Sequence, residues 1–184
     1  MESAEERLLA RCRAGDLEAF AALYGDCAES VYRHAYHLVG HREEAHDIRQ
    51  ETFLRAFGAL PNFRGDCSLR TFLLRICTNL CRDYHRSRRT RGEDALHQTP
   101  IEGENSAAWG RSDPGFEQIE TADLVRAALA RLSPARREVI VLRDLENLSN
   151  REVAIVLGCA PASVPVKLFR ARRQLEAELK RLLG

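Results

Sequence analysis

The sequence predicts an all-α protein of two small helical domains, the C-terminal one a helix-turn-helix, joined by a flexible acidic linker. Three observations predict this. Apolar residues recur at helical spacing along most of the chain, and no convincing alternating run marks a strand. The periodicity fails over residues 92–116, where Gly, Ser, Asn, Pro and acids dominate. A structureless stretch of that length does not suit the inside of one compact domain. The expected division is therefore a domain at 1–91, a linker at 92–120 and a second domain at 121–184.

Each element has a local cause. Residues 8–13 read as a short first helix. Asp16 caps a second, which carries Phe20, Leu23, Cys27, Val31 and Ala35 up to Gly40. Residues 42–60 form a third, stopped by Pro61, and residues 68–91 a long fourth. In the linker, Trp109 stands alone, either a docking anchor or an incidental residue. Helices resume at Thr121. Ser133-Pro134 is a start signal, with Ser as N-cap and Pro at the first helical position. Ser149-Asn-Arg-Glu152 has the pattern of a capping box, and Gly158 ends the short helix that follows. A final helix spans residues 163–183. A short capped helix, a turn with Gly and a longer basic helix make a helix-turn-helix.

Net charge is only +1, so the distribution of charge says more than its sum. Arg82, Arg86, Arg88, Arg89 and Arg91 crowd together before the linker, and Lys167, Arg170, Arg172 and Arg173 form a second cluster. Between them Glu93, Asp94, Glu102, Glu104, Asp113 and Glu117 face a single Arg111. Two basic surfaces and an acidic connector suit an anionic partner. No apolar run is long enough to span a membrane, and the acidic N-terminus has no secretory signal, so a cytoplasmic protein with no membrane insertion of its own is expected. The six cysteines, at 12, 27, 67, 77, 81 and 159, include no Cys-x-x-Cys pair and are expected to stay reduced. No glycine-rich phosphate loop, metal motif or nucleophile–base pair points to an enzyme, a cofactor or a metal.

Three faces are candidate sites. On the fourth helix, Leu73, Ile76, Cys77, Leu80, Cys81 and Tyr84 share one broad face, and Arg75, Asn79, Arg82 and Arg86 form a narrow stripe opposite. Guanidiniums grip phosphates and an Asn amide pairs with base edges, so the stripe reads as a nucleic-acid contact. On the third helix, Asp47, Gln50, Glu51 and Leu54 share a polar face with an apolar centre, with Phe53 and Phe57 on one flank and Ile48 on the other. On the last helix, Val164, Leu168, Ala171, Leu175 and Leu179 form a core face, and Val166, Lys167, Arg170, Arg173 and Gln174 lie opposite, placed to enter a major groove. Cys77, Cys81 and His85 have spacing that could hold a metal, but the cysteines lie on the core face, where a free Cys behaves as a small hydrophobe.

These stretches resemble the extracytoplasmic-function sigma factors of the sigma-70 superfamily. Asp47-Ile-Arg-Gln-Glu-Thr-Phe-Leu-Arg55 is similar to that family's polymerase-binding helix. Phe63-Arg-Gly-Asp-Cys-Ser-Leu-Arg-Thr-Phe-Leu-Leu-Arg-Ile-Cys-Thr-Asn79 is similar to its promoter-melting segment. Leu132-Ser-Pro-Ala-Arg-Arg-Glu-Val139, Leu148-Ser-Asn-Arg-Glu-Val-Ala154 and Phe169-Arg-Ala-Arg172 resemble its C-terminal domain. The resemblance implies a transcription initiation factor that docks on core RNA polymerase, at the β′ clamp helices through Asp47, Gln50, Glu51 and Leu54, and at the β flap. It implies contact with the −10 element, duplex and melted non-template strand, through Phe63, Arg64, Ser68, Arg70, Arg75, Asn79, Arg82 and Arg86, the 63–70 loop forming a pocket for a flipped base. It implies −35 recognition through Ser163, Val166, Lys167, Arg170, Arg173 and Gln174, and an anti-sigma factor as a further partner.

The chain departs from the family at two places. Phe72 stands where Trp is usual, which keeps the apolar packing. Ser163-Val-Pro-Val-Lys167 replaces a Thr-Val-Lys/Arg-Ser-Arg pattern, so Pro165 takes the place of a cation and Val166 of a Ser. Pro165 is tolerable if Ser163 is the N-cap, since it then falls in the first turn. The alternative reading is a two-domain regulator with a LuxR-like helix-turn-helix, whose N-terminal domain would be α/β. The helical, Arg-striped N-terminal half argues against it. A thiol or zinc sensor built on Cys77, Cys81 and His85 is a third reading.

Overall fold

The structure is a computed structural model that describes residues 4–91 and 116–183, and of residues 116–121 the backbone alone. Trp109 and the expected linker lie outside these residues, except that 116–120 open a helix. The chain runs α1 (Ala4–Arg13), α2 (Leu17–Val39), α3 (Arg42–Ala59), α4 (Leu69–Thr90), α5 (Phe116–Ala130), α6 (Pro134–Ile140), α7 (Asn150–Leu157) and α8 (Val164–Leu183), with no strand among the described residues.

Most helix ends follow from one or two residues. The Asp16 carboxylate accepts from the Glu18 and Ala19 N–H groups and so starts α2. Gly40, at φ 80°, ends it with an N–H bond to the Tyr36 carbonyl. Pro61 sits in a single 3-10 turn, Leu60–Asn62, that finishes α3. Ser68 caps α4 by accepting from the Thr71 N–H. Ser149 and Glu152 close both hydrogen bonds of a capping box on α7, and Gly158 ends that helix at φ 67°.

Four starts differ from expectation. α1 begins at Ala4 rather than at residue 8, with Glu5 and Glu6 in its first turn. α5 begins at Phe116 rather than Thr121. Ser133 has N-cap backbone geometry, but its side chain accepts no cap bond, so Pro134 carries that start. Ser163 is not the cap of α8: it lies in a 3-10 turn, Pro161–Ser163, and its hydroxyl donates to the Ala160 carbonyl. Pro165 is still the second residue of α8, where its missing N–H costs no helical bond. A single π turn, Val141–Leu145, joins α6 to the loop before α7.

α2, α3 and α4 pack on one another around Leu23, Val31, Ala35, Phe53, Leu60, Leu73 and Cys77. In the second half, α6 and α5 pack on α8 around Leu129, Val139, Leu142, Val153, Val164 and Ala171. The two halves meet along α4, which packs on α7, while α2 meets the π turn, α5 and α6. Leu74 of α4 is fully buried in the second core, and Val141 is fully buried in the first.

Candidate nucleic-acid and polymerase interfaces

α4 carries the expected apolar face inward: Leu73, Cys77, Leu80 and Cys81 are buried. Of the opposite stripe, Asn79 and Arg86 are exposed and Arg75 is half-buried, its guanidinium over the Phe72 ring. Arg82 is turned sideways. It donates from Nε and Nη2 to the two carboxylate oxygens of Glu138, at 2.9 and 2.8 Å, and Glu138 is buried. These bonds raise the Arg82 pKa further above its ordinary value. Arg88, counted with the basic cluster by sequence, points inward instead. It donates to the Tyr84 hydroxyl at 2.9 Å and lies over that ring.

The 63–68 loop ahead of α4 is held from behind by α1. The Glu5 carboxylate accepts from the Leu69 N–H at 2.7 Å, and Arg13 donates to the Phe63 carbonyl. Gly65, at φ 78°, lets the backbone turn beside Leu9 and Arg13. Phe63 itself is only 5% exposed, and its ring packs on Phe72 with centroids 4.4 Å apart. It therefore shapes the loop from inside and presents no ring to a base. Arg64 is exposed and Ser68 half-buried. Arg70 turns toward the C-terminal half, where it pairs with the Glu146 carboxylate and donates to the Glu146 carbonyl at 3.0 Å. Sequence reasoning missed Glu5 and Arg13, because their partners lie 50 or more positions away.

On α3, Asp47 and Gln50 are exposed, and Glu51 is half-exposed in an i,i+4 pair with Arg55. Leu54 is 69% exposed at the centre of that face. Phe57 is also open, against Phe20, while Phe53 and Ile48 on the two flanks are buried. The result is an apolar spot ringed by acids and amides.

On α8, Val164, Leu168 and Ala171 are buried, and Leu175 packs on the core they join. Val166, Lys167, Arg170 and Arg173 are exposed on the far side. Gln174 is half-buried and accepts from Arg136. Phe169, not singled out by sequence, is 63% exposed with Arg173 stacked over it. Arg172 is bound to Asp144 instead.

The cysteines do not build a site. Cys77 and Cys81 are buried, and burial pushes the Cys81 thiol well above its ordinary pKa. A thiol held neutral is neither a good ligand nor a nucleophile. His85 Nε2 is 3.0 Å from the Leu38 carbonyl. Among the described residues no group of three His, Cys, Asp or Glu could hold a metal. No single helix among them is long and apolar enough to cross a membrane.

An Arg/Asn-striped helix, an apolar-centred polar face and a basic helix after a capped turn stand in one chain. Residues 23–91 match the family Sigma-70 region 2, and residues 122–175 match Sigma-70, region 4. The chain belongs to the extracytoplasmic-function branch of the sigma-70 family. RNA polymerase sigma factor CnrH of Cupriavidus metallidurans is 32% identical, over 97% of this chain and 95% of its own. The ECF RNA polymerase sigma factor BldN of Streptomyces coelicolor is 32% identical, over 91% of this chain and 63% of its own. The structure of CnrH in complex with the cytosolic domain of CnrY has a TM-score of 0.72 to this fold at 27% identity, covering 97% of this chain and 99% of that one. This sigma factor is thus a transcription initiation factor that binds core RNA polymerase and directs it to promoters, and it is not an enzyme. The LuxR-type alternative has no support, because the N-terminal half is sigma region 2 and helical.

Proposed function

We propose that three faces divide the work, in domains bounded near residue 91 and near α5. The α3 face of Asp47, Gln50, Glu51 and Leu54 docks on the β′ clamp helices of the polymerase, the exposed Leu54 seated in an apolar hollow and the carboxylates facing cations around it. The C-terminal half reaches the β flap. Arg75, Asn79 and Arg86, with Arg64 in the loop beside them, hold the melted non-template strand of the −10 element. Extruding a base costs a few kcal/mol, and contacts to the separated strand offset it. Val166, Lys167, Phe169, Arg170 and Arg173 enter the major groove of the −35 element, where Val166 and Phe169 suit thymine methyls and the cations suit phosphates. The protein acts in the cytoplasm. An anti-sigma factor holds it inactive, as the CnrH complex with CnrY suggests by analogy.

The observation that carries this reading is the exposed Leu54 at the centre of a charged helix face, on the same half as the half-buried Arg75 and the open Asn79 and Arg86. Run-off transcription with core polymerase and a promoter library tests it. Wild type is expected to confer selective initiation, and Leu54→Glu to abolish both initiation and co-purification with core. If Leu54→Glu binds core as wild type does, the docking face is misassigned.

A further inference from the structure

α1 lies outside the residues that match Sigma-70 region 2, which begin at 23. One stripe of it, Glu5, Leu9 and Arg13, meets the chain around the 63–68 loop. These residues are spaced four apart, so they stand one above another on successive turns. Each meets a different part of the loop. The Glu5 carboxylate accepts from the Leu69 N–H at 2.7 Å, where the loop ends. A Cβ placed on Gly65 would lie 3.6 Å from Leu9 Cδ2 and 3.8 Å from Arg13 Nη2, so the middle of the loop rests on both. Arg13 donates to the Phe63 carbonyl, where the loop begins. The loop thus runs antiparallel along two turns of α1 and is tied to it at both ends through backbone atoms.

The two bonds serve groups that the loop and helix leave open. Leu69 is the first residue of α4, so its N–H has no acceptor within the helix, and Ser68 serves a different N–H, that of Thr71. α1 is itself well anchored. Cys12 is buried, α1 packs on α2 and on the 3-10 turn Leu60–Asn62, and Arg11 pairs with Asp16 at 2.7 Å. Glu5 and Arg13 are exposed, so they add nothing to the core, and what they hold is the loop. Between its tied ends, Arg64, Gly65 and Asp66 are open to solvent. We propose that α1 is a positioning element for capture of the −10 base: Glu5 and Arg13 hold the 63–68 loop in the shape that receives the extruded base. The inference rests on the reading of that loop as part of the −10 contact. A pocket formed in advance pays no ordering cost when the base enters. Without the two bonds the loop holds the competent shape for only part of the time, and apparent affinity for the base falls by that fraction.

The test reads the worth of the captured base by itself. Holoenzyme is assembled from core polymerase and the full-length protein. Its binding is measured to a fluorescein-labelled fork-junction promoter, chosen from those on which wild type initiates in the library. The exposed non-template −10 strand is intact or abasic at one position at a time. With wild type, one abasic position is expected to cost far more affinity than its neighbours. Glu5→Ala/Arg13→Ala is expected to shrink that cost about tenfold, the scale of losing a hydrogen bond to a charged group. Binding to the abasic DNA and co-purification with core are expected to stay as in wild type. Glu5→Gln/Arg13→Lys keeps an acceptor and a donor and is expected to restore the cost. An undiminished cost in the alanine variant overturns the positioning role, and so does a loss that the Gln/Lys variant fails to restore. Should wild type show no costly position, the base-capture reading of the loop falls first and the positioning role with it. Should the double alanine variant not fold, Arg13→Ala alone is measured in the same way, with Arg13→Lys as its rescue. An undiminished cost there overturns the proposal.

Discussion

Arg82 and Glu138 are joined by a bidentate ion pair across the two halves of the chain, with bonds of 2.9 and 2.8 Å. The pair separates the arginines of α4 into two kinds. Among the described residues, no carboxylate of the other half reaches Arg75 or Arg86, and Arg86 pairs with Asp83 one turn earlier. An exposed pair of that sort contributes little. Arg82→Ala would leave Glu138 buried without its partner, so any loss of function would mix instability with lost DNA contact. Arg75→Ala and Arg86→Ala are the clean probes. Each is expected to weaken open-complex formation about tenfold or more, with core binding and melting temperature unchanged. Permanganate footprinting of the promoter bubble, beside a core pull-down, reads both. Loss of core binding would place this face on the polymerase instead.

Leu74 holds the two halves together from the apolar side. It is fully buried among side chains of the C-terminal core while its helix belongs to the N-terminal bundle. Leu74→Ala is expected to cost about 2–4 kcal/mol, the range for a buried leucine that leaves a cavity. Leu73→Ala, one residue earlier and equally buried, falls in the other core. Hydrogen exchange should separate them: Leu74→Ala raises exchange in α6 and α7, and Leu73→Ala raises it in α2 and α3. Identical exchange maps would mean the two cores are a single unit.

That second buried face of α4 was not legible in the sequence. Helix ends were, because Asp16, Ser68, Ser149 and Gly158 act on their immediate neighbours. The apolar face of α4 was too, since its period is local. Thr71, Leu74 and Thr78 are buried on a flank that reads as mixed polar, because the partners that bury Thr71 and Leu74 lie far along the chain. The inward turn of Arg88 had a local signal, Tyr84 one turn before it, and a basic cluster masked it. The open faces of α3 and α8 were legible for the opposite reason: a leucine among acids, or cations opposite a core stripe, needs no distant partner. The inward turn of Phe63 had no such local signal: the resemblance placed it in the loop that contacts the −10 element, and its ring packs on Phe72, nine residues on.

Acid is expected to loosen the protein through its buried histidines. His34 is fully buried, with Nε2 2.8 Å from the Thr78 hydroxyl, and burial lowers its pKa to about 3. Its Nδ1 lies 3.8 Å from Glu146, a distance that would suit an ion pair, but burial outweighs that approach and keeps the ring neutral. His37, one turn on, is lowered to about 4 for the same reason, with Arg126 and Arg33 adding to it. Both folded values lie below the unfolded value of 6.5. The stability they permit is complete above pH 6.5 and is lost as pH falls toward 4 and 3. Between pH 6.5 and 5 this amounts to about 2 kcal/mol per histidine. Glu146 works in the opposite sense: burial raises its pKa against the pull of Arg70, Ser30 and Arg33, so protonation there relieves a buried charge. Urea unfolding at pH 7.5 and 5 measures the balance. His34→Gln, which keeps a donor for Thr78, is expected to flatten the pH slope by about one proton, and an unchanged slope would show that His34 already binds its proton when folded.

Pro165 sets what the recognition helix can grip. It is exposed at the second position of α8, between buried Val164 and exposed Val166, on the helix whose Lys167, Arg170 and Arg173 face outward. In this first turn an N–H has no intrahelical acceptor, so replacing proline neither restores nor breaks a helical bond. The cost of Pro165→Arg lies in the unfolded chain, which gains freedom worth about 0.4–1 kcal/mol. The added guanidinium reaches solvent beside Val166 and Lys167, close enough to meet one more phosphate of a bound duplex. Binding of the full-length protein to duplex DNA is expected to tighten, and the slope of log affinity against log salt to steepen by about 0.9, the value for one phosphate. The gain should be the same on every sequence, because phosphate contacts carry no base information. A change in sequence preference without a steeper salt slope would mean that Pro165 fixes the tilt of α8 in the groove, and that Val166 and Phe169 read bases only at that tilt.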